Sequence, residues 1–473
     1  MKWILSLSLL FSTALSWGAT PRTVMVQLFE WPWESIAWEC ENYLGPNGFS
    51  AVQVSPPQEH LVLDGHPWWE RYQPVSYKLI SRSGNEDQFR QMVQRCARAG
   101  VDIYVDVVLN HMAGLADGVG FAGTTYRKYN HTDLYSYSDF HHCGRNGNDQ
   151  IVNFNDRYEV QNCELLGLAD LKTESNKVQA IQASYLHKLI QMGVKGFRID
   201  AAKHIPAQDL ISLFSKVPGK PYLISETFIG QGEPVSLEEY QTFSDINFFQ
   251  YSFDLGSTIL RGGFSRLLRA MSHYPDSKDT VIFVENHDLQ RISSENLPSL
   301  EKTPQAYLLA HVFMLTWPYG YPQIFSGYRF TEYNEGPPVD PQGFSTKVQA
   351  PDGTCFAPWS CEHRIGGIAT LVQFRNYTNS YFGVTDLWVG TDRQIAFGRS
   401  SLGFVVINNS ATTLQNKFKT SLPNGQYCNV LGSDYNMQAR SCSQGYEVQN
   451  GNLSVTMPPG TALVLQKSTL VRQ

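Results

Sequence analysis

The order of apolar and polar residues predicts a chain of alternating strands and helices. Short apolar runs rich in β-branched residues are separated by helix-like stretches, which is the pattern of parallel β/α units. The predicted strands are 23–29, 50–54, 101–109, 196–201, 222–226, 280–284 and 323–326. Helices are predicted at 86–99, 175–192 and 303–315, and a glycine follows each of the first two.

Two regions break this alternation. Residues 112–168 are rich in Gly, Asn, Asp, Tyr and His with weak periodicity, and so long a loop is usually functional or a small inserted domain. From about Trp388, strands alternate with Asn-Gly turns, the strongest short hairpin signal. We therefore predict a barrel over 19–110 and 171–387, a loop-rich domain inserted after strand 3 at 111–170, and a C-terminal all-β sandwich at 388–473.

The first residues have the pattern of an export signal, predicted over 1–18. A positive Lys2 precedes an apolar run at 4–15. Small residues that allow cleavage follow at Ser16, Gly18 and Ala19, and the pattern does not choose among them. The alternative is a buried first strand. No later apolar run is long enough to span a membrane, so we expect a soluble, secreted, extracellular protein.

Eight cysteines fit an oxidising compartment, although sequence alone allows 105 pairings of eight cysteines. Short separations favour two of the pairs, a third would brace the Gly/Asn-rich loop, and the fourth is what remains. The predicted pairs are Cys355–Cys361, Cys428–Cys442, Cys143–Cys163 and Cys40–Cys96. No two of these cysteines have the Cys-x-x-Cys spacing of a zinc site, and free thiols are the alternative.

Composition narrows the class of partner. A chain of 473 residues with 42 % hydrophobic and 17 % charged residues is globular and long enough for a large barrel with an accessory domain. The formal charge of −6 argues against binding to nucleic acid or an anionic membrane. Aromatic residues make up 13 %, and their faces can stack on sugar rings. We expect a monomer.

Polar clusters follow four of the predicted strands. They span 106–111, 196–204, 224–227 and 283–288. The carboxyl-terminal ends of all strands of a parallel barrel face one surface, so we expect the clusters to converge. A single carboxylate after a strand is usually a cap or an ion-pair partner, and four clusters in barrel order are much more specific.

The carboxylates of these clusters suit the cleavage of glycosidic bonds. Arg198 and Asp200 share a face of a strand, and the arginine is expected to lower the pKa of Asp200 and keep this nucleophile ionised. Glu226 follows an apolar strand and has carboxylate neighbours, which favours a protonated general acid. Such a pair with divided roles is what retaining glycoside hydrolysis needs, and Asp288 adds a third carboxylate.

The four clusters resemble the four signature regions of the α-amylase family, glycoside hydrolase family 13. The similarity is to animal-type enzymes and their bacterial relatives, and it includes Leu28–Trp31, Gly48–Pro56 and Pro67–Tyr77. It covers nearly the whole mature chain. The resemblance implies an eight-fold parallel β/α (TIM) barrel and a secreted, calcium-dependent enzyme. That enzyme would cut α-1,4 bonds inside starch, glycogen and related glucans with retention of configuration.

The resemblance also implies a role for each matching residue. Asp200 would be the nucleophile, Glu226 the general acid/base and Asp288 the stabiliser of the transition state. The substrate-binding set would be Trp68, Trp69, Tyr72 and Gln73 on the glycone wall, His111 and His287 at the cleaved bond, Lys203 and His204 on the leaving-group side, and Arg198. Two adjacent tryptophans cannot both point inward from a strand, so core packing does not account for Trp68 and Trp69 together.

Ion sites follow from the same resemblance. Calcium would bind the side chains of Asn110 and Asp170 and the backbone carbonyls of Gln161 and His204, tying the insertion to the barrel. Arg198 and Asn286 match two chloride ligands of the animal enzymes. The third position is Gln323, which carries no positive charge, so we expect that chloride is not required.

The chain also departs from the animal-type pattern in the segment after Asp288. Residues 290–302, which follow Asp288, contain no glycine, so a mobile loop that closes over substrate is not expected there.

An α-glucosidase, a transglycosylase such as a cyclodextrin-forming enzyme, or a debranching enzyme would share the four clusters. The match at 68–77 and the single short C-terminal domain favour an amylase. A catalytically silent glucan-binding protein is the non-enzymatic alternative, against which all three carboxylates are present.

Overall fold

The computed structural model describes residues 23–471 except 293, 294, 437 and 440, so the predicted export signal lies outside the described residues. Eight parallel strands close into a barrel in which successive strands are neighbours and the last pairs with the first. The strands are β1 Met25–Leu28, β2 Ala51–Val54, β3 Asp102–Val107, β4 Gly196–Ile199, β5 Tyr222–Ser225, β6 Asp245–Asn247, β7 Thr280–Phe283 and β8 Tyr321–Ser326. The predicted TIM barrel is confirmed.

Seven of these strands were predicted, and the sixth was not. β6 has three residues, with a single apolar side chain, Ile246, between Asp245 and Asn247, so its pattern is too short to indicate a strand. The predicted strands are apolar along their whole length because helices cover the outside of the barrel and side chains fill its interior.

Helices surround the barrel, and the predicted ones end within a residue or two of their predicted bounds. They are α1 Trp33–Glu39, α2 Glu86–Arg98, α3 Asn176–Gln191, α4 Ala207–Ser215, α5 Leu237–Gln241, α6 Phe249–Arg261, α7 Phe264–Met271, α8 Pro304–Thr316 and α9 Ile368–Thr378. A capping box begins α2, where the Asn85 side chain accepts from the Gln88 amide and the Gln88 side chain accepts from the Asn85 amide.

The insertion after β3 contains two small sheets and a short helix. His111–Met112 pairs with Ala169–Asp170, and a second sheet contains Asp117–Val119, Thr125–Arg127 and Asn130–His131. The helix is Arg157–Asn162. The apolar core of the insertion includes Met112, Tyr135, Phe140 and Leu171. The pairing of His111 with Asp170 brings the two ends of the insertion together beside the barrel.

The C-terminal domain is all β. Its strands are β9 Thr385–Val389, β10 Gln394–Gly398, β11 Gly403–Asn408, β12 Leu414–Lys419, β13 Gly425–Asn429, β14 Tyr446–Gln449, β15 Asn452–Met457 and β16 Thr461–Val471. They form one sheet in the order β9-β10-β11-β16-β13-β14-β15-β12. Phe404 of β11 meets Phe418 of β12 in a shared apolar core, so the sheet folds over itself as a sandwich does.

All eight cysteines are paired as predicted, in the disulfides Cys40–Cys96, Cys143–Cys163, Cys355–Cys361 and Cys428–Cys442. The first connects α2 to the residue after α1, and the second closes the Gly/Asn-rich loop of the insertion. Within residues 23–471, as far as they are described, no helix has both the length and the hydropathy to cross a membrane.

Candidate active site

The predicted carboxylates meet at the carboxyl-terminal end of the barrel. The register of β3 and β4 places Asp106 beside Arg198. Asp200 directly follows β4, and Glu226 directly follows β5. Because parallel strands end on one face of the barrel, residues far apart in sequence become neighbours there.

Arg198 connects three carboxylates. Its Nη1 donates to Asp106 Oδ1 at 2.7 Å and to Asp200 Oδ1 at 2.7 Å, and its Nη2 lies 2.6 Å from Glu226 Oε1. The other oxygen of Glu226 accepts from the Ala201 amide at 2.7 Å. Arg198 is only 2 % exposed, so it influences a substrate through the carboxylates above it.

This sharing corrects the expected ionisation of Asp200. Burial raises the pKa of the Asp200 carboxyl well above its ordinary range, Glu226 and Asp106 add to the rise, and Arg198 opposes it. Burial likewise raises the pKa of Asp106 to about 6, again against Arg198. The expected net lowering at Asp200 was wrong because the cost of burial exceeds the effect of Arg198, which is shared with two other carboxyls. Asp200 and Asp106 therefore bind protons more tightly than isolated carboxyls would.

Asp288 and His287 complete the opposite side of the site. His287 Nε2 lies 3.4 Å from Asp288 Oδ2, and its Nδ1 is 3.0 Å from Gln27 Nε2. The imidazole is stacked between the rings of Tyr72 and Phe29. Burial lowers the pKa of His287 far below its ordinary value, so this residue offers a substrate hydroxyl a neutral hydrogen-bonding ring.

His111 has the same character. Its Nε2 is 2.9 Å from the Tyr72 carbonyl oxygen, and burial lowers its pKa to about 4. The Tyr72 hydroxyl donates to Asp106 Oδ2 at 3.0 Å. Tyr72 thus links the histidines to the carboxylates that share Arg198.

A cleft of about 560 Å³ lies above these groups, which is within the size range of about 300–1,000 Å³ for ligand pockets. Nine predicted residues line it: Trp68, Trp69, Tyr72, Gln73, His111, Asp200, Glu226, His287 and Asp288. The argument that placed both tryptophans on a strand was wrong. Trp68–Tyr72 is a 3₁₀ helix, and Trp68 is buried at the back of the cleft while Trp69 is half-buried.

Several cleft residues were missed from the sequence. They are Leu165, Leu166, Leu168, Ala201, Phe228, Phe249, Ile292 and Tyr333. Phe228 follows Glu226 by two residues, and Ala201 follows Asp200 directly, so position next to a catalytic carboxylate could have indicated both. Leu166 is 86 % exposed and Tyr333 is 52 % exposed, and isolated apolar residues in irregular segments have no sequence signal for a cleft.

Lys203 and His204 do not line this cleft. Lys203 Nζ is 2.9 Å from Glu233 Oε2 and 5.3 Å from the centre of the Phe154 ring. His204 Nδ1 is 2.8 Å from the Val160 carbonyl oxygen. Their contact with the leaving-group sugar stays a prediction.

The residues expected to hold calcium lie where the insertion meets the barrel. Asn110 and Asp170 are buried, and the Asn110 amide contacts the Asp170 carboxyl. Gln161 Nε2 is 3.4 Å from the carbonyl oxygen of Lys203, the neighbour of His204. The described residues contain no cluster of three or more His, Cys, Asp or Glu side chains suited to a metal. The predicted set instead offers carboxylate, amide and carbonyl oxygens, the donors that Ca²⁺ prefers.

The three positions of the expected chloride site are engaged with the protein. Gln323 Nε2 donates to Gln53 Oε1 at 2.7 Å, and both side chains are buried. Asn286 Oδ1 accepts from the backbone amides of Asp288 and Leu289 at 3.1 and 2.8 Å. Arg198, the remaining position, is bonded to the carboxylates of Asp106, Asp200 and Glu226.

Comparison with known proteins gives a consistent result. Residues 42–242 match the alpha amylase catalytic domain, and residues 388–468 match the alpha amylase C-terminal all-beta domain. An alpha-amylase of Thermomonospora curvata is 41 % identical in an alignment of 461 residues that covers 94 % of this chain and 73 % of that protein. An alpha-amylase-related protein of Drosophila pseudoobscura pseudoobscura is 39 % identical over 440 residues, covering 88 % of this chain and 87 % of that protein.

Among solved structures, wild-type alpha-amylase I from the earthworm Eisenia fetida superposes with a TM-score of 0.88 at 32 % identity. The match covers 94 % of this chain and 97 % of that one. A mutant of the same enzyme has been solved in complex with maltohexaose, with a TM-score of 0.88 at 31 % identity. With the carboxylate cluster on a closed barrel and relatives of this identity and coverage, the chain belongs to the alpha-amylase family, glycoside hydrolase family 13.

Proposed function

We propose that this protein is an α-amylase that hydrolyses α-1,4 bonds inside starch, glycogen and related glucans by a retaining double displacement. The observation that carries the proposal is the pairing of Asp200 and Glu226 on adjacent nitrogens of the Arg198 guanidinium. Carboxyls held this close favour the separation of about 5–5.5 Å found in retaining enzymes over the ~6.5–9.5 Å of inverting ones.

In the first step, Asp200 attacks the anomeric carbon while Glu226 gives its proton to the departing glycosidic oxygen. The C–O bond to the leaving chain breaks as the bond to the aspartate forms. In the second step a water attacks the same carbon, Glu226 takes the proton of that water, and Asp200 leaves. The cycle needs one proton, carried by Glu226, and an ionised Asp200, whose charge the Arg198 guanidinium favours against the cost of burial.

The remaining cleft residues would bind and orient the glucan. Neutral imidazoles at His111 and His287 offer hydrogen bonds without repelling a developing positive charge at the anomeric carbon. Asp288, opposite the pair, would accept hydrogen bonds from sugar hydroxyls. Trp69, half-buried beside the cleft, gives a ring face on which a pyranose can stack.

Calcium is proposed as a structural ion. Asn110 and Asp170 would supply side-chain oxygens, and Gln161 and His204 would supply backbone carbonyls. When bound, the ion would supply charge neutralisation for a buried carboxylate and a link between the insertion and the barrel. His111, which faces the cleft, directly follows Asn110, so the same link would hold one of the sugar-binding histidines in place.

Chloride is proposed not to be required. Arg198 already has three carboxylate partners, and the Gln323 amide is bonded to Gln53. We also propose export, which the four disulfides support, and action as a monomer on glucan polymers, without nucleic-acid or membrane partners.

The test is starch hydrolysis by the dialysed enzyme in chloride-free buffer with calcium, following iodine colour and reducing ends together. Rapid loss of colour with few new ends is expected for endo cleavage. New ends without loss of colour would replace the proposal by an exo-acting glucosidase. Starch binding without any hydrolysis would support the silent binding protein.

A further inference from the structure

Arg291 occupies an unusual position beside the catalytic site. It belongs to the short helix Leu289–Ile292, three residues after Asp288. Its guanidinium donates to four uncharged oxygens: the carbonyls of His287 at 3.0 Å, Tyr333 at 3.3 Å and Glu335 at 3.4 Å, and the Tyr328 hydroxyl at 2.9 Å. A planar fork with five N–H donors can meet so many acceptors at once, and a lysine cannot.

Aromatic rings enclose the same guanidinium. Its central carbon lies 4.0 Å from the ring centre of Phe330, 5.0 Å from Trp68, 5.5 Å from Tyr328 and 5.8 Å from Phe29. The attraction between a cation and an aromatic ring is stronger when water is excluded. The side chain therefore connects the Asp288 turn, the tryptophan wall and the segment after β8.

The segment that Arg291 reaches is residues 331–335, here called the 331–335 arm. Glu335 Oε2 accepts from the Thr331 amide at 2.8 Å, which closes the arm on itself. Trp68 Nε1 donates to the Tyr333 carbonyl at 3.0 Å, and Trp69 Nε1 donates to Asn334 Oδ1 at 2.9 Å. The arm is thus attached to both tryptophans and to Arg291.

At the tip of the arm, Tyr333 extends along the cleft. Its ring centre lies 6.2 Å from that of Trp68 in an edge-to-face arrangement, and it lines the cleft with Trp69 and Ile292. The side chain is 52 % exposed. A large ring held by its backbone but left uncovered on the cleft side presents a free aromatic face to a ligand.

We propose that Tyr333 is a sugar-contacting residue on the Trp68–Trp69 side of the cleft, and that Arg291 is the positioning residue that holds it there. The inference rests on the proposed function, since the sugar is a unit of the glucan substrate. It also gives a role to Arg291, whose own contacts lie outside the catalytic carboxylates.

Tyr333→Ala should raise KM for maltoheptaose by about two- to tenfold, the range expected for one aromatic contact, and leave kcat within about twofold. Tyr333→Phe keeps the ring and should behave as the wild type. Maltotriose, too short to fill both sides of the cleft, should respond much less than maltoheptaose. A product pattern shifted towards shorter fragments is the further expected sign.

Arg291→Lys keeps the charge but loses the fork, so the arm and the Asp288 turn should both loosen. We expect the same rise in KM for maltoheptaose together with a severalfold fall in kcat, because Asp288 directly follows His287, whose carbonyl Arg291 binds. In a Tyr333→Ala background, Arg291→Lys should raise KM no further, since the ring it positions is absent. Arg329→Lys, at a neighbouring exposed arginine paired with Glu301, is the matched control and should change neither constant.

The experiment measures kcat and KM of these variants on maltoheptaose and maltotriose, with melting temperatures to confirm folding. In parallel, calorimetry measures maltoheptaose binding to Asp200→Asn protein with and without Tyr333→Ala, a readout that needs no turnover. Weaker binding and higher KM with Tyr333→Ala support the proposal. Unchanged binding and KM overturn it, even if Arg291→Lys fails to fold. If the wild type cleaves no starch but Tyr333→Ala still weakens maltoheptaose binding, the proposed function is rejected and this inference stands.

Discussion

The two ends of the barrel each bury an arginine, and the partners of the two side chains differ in charge. At the carboxyl-terminal end, Arg198 is bonded to the carboxylates of Asp106, Asp200 and Glu226. Near the amino-terminal end of β8, Arg375 of α9 donates to backbone carbonyls, among them those of Tyr319 at 3.0 Å and Gly320 at 2.8 Å. One guanidinium meets negative charge, and the other meets neutral oxygens.

The difference separates the proposed catalytic role of the Arg198 cluster from the structural role of Arg375. Burial disfavours the charge of both side chains, yet the three carboxylates raise the pKa of Arg198 well above its ordinary value. Burial and the nearby Arg399 lower the pKa of Arg375 to about 9. Arg375 therefore organises carbonyls between α8 and β8, while Arg198 keeps a reactive group of carboxyls together. In a TIM barrel this assignment of chemistry to the carboxyl-terminal end is general.

The largest effect is expected from Asp200→Asn, which removes the proposed nucleophile at the carboxyl-terminal end of the barrel. We predict a fall in kcat on starch of about 10⁴-fold or more. The free energy of unfolding should stay the same or rise, because three buried carboxyls sharing one guanidinium repel one another. Iodine-colour kinetics and urea unfolding measure the two quantities. A variant that unfolds in less urea than the wild type would show that the cluster stabilises the fold.

Arg375→Gln tests the other end of the barrel. Replacing the Arg375 guanidinium leaves buried carbonyls without hydrogen-bond donors, and each such loss costs about 1–3 kcal/mol. We expect the free energy of unfolding to fall by about 2–4 kcal/mol while kcat/KM on starch changes less than about twofold. Urea unfolding of this variant and of the exposed control Arg329→Gln makes the comparison. A large loss of activity in folded Arg375→Gln protein would mean that the two ends are coupled.

The same contrast explains what could be predicted from the sequence. At the reactive end, apolar strands are followed by carboxylates in the sequence. The positions of Asp200, Glu226 and Asp288 and seven of the eight strands could therefore be predicted. The amino-terminal end had no comparable motif, because Arg375 acts on carbonyls that any residue carries. Its role depends on how α9 packs against the start of β8, and that is tertiary information.

Three failures of sequence-based prediction at the reactive end have the same physical origin. The pKa of Asp200 was expected to fall because Arg198 is its neighbour in sequence, but burial raises it, and Asp106, which shares the arginine through the register of β3 and β4, adds to the rise. Trp68 and Trp69 both reach the cleft because a 3₁₀ turn replaces the assumed strand. Tyr333 lies in an irregular segment whose position is set by Arg291 and the tryptophans. None of these arrangements produces a periodic pattern of apolar and polar residues that could be recognised in the sequence.

A smaller effect is expected at Glu285, two residues beyond β7 at the reactive end. Burial and the nearby Glu362 raise the pKa of Glu285 from an ordinary value of 4.5 to about 8. The folded protein keeps a proton here that the unfolded chain releases, so the free energy of unfolding should fall as pH rises from about 4.5 to about 8.

Glu285→Gln should remove much of that slope and stabilise the protein by about 1–2 kcal/mol at pH 8, with little effect at pH 4.5. Urea unfolding at the two pH values tests this, with the exposed Glu301→Gln as the control. Equal effects of Glu285→Gln at both pH values would show that this carboxyl does not hold its proton in the folded state.

The smallest effect is expected between the two ends, where the neutral amides of Gln53 and Gln323 meet inside the barrel. Removing chloride from the wild-type enzyme should change starch hydrolysis by less than about twofold, because Gln323 brings no positive charge that an anion would balance. Gln323→Arg adds that charge beside the reactive end and should make activity depend severalfold on chloride. Gln323→Leu, which removes the amide without adding charge, should stay independent of it. A wild type that loses most of its activity without chloride would place an anion requirement at Arg198 despite its three carboxylate partners.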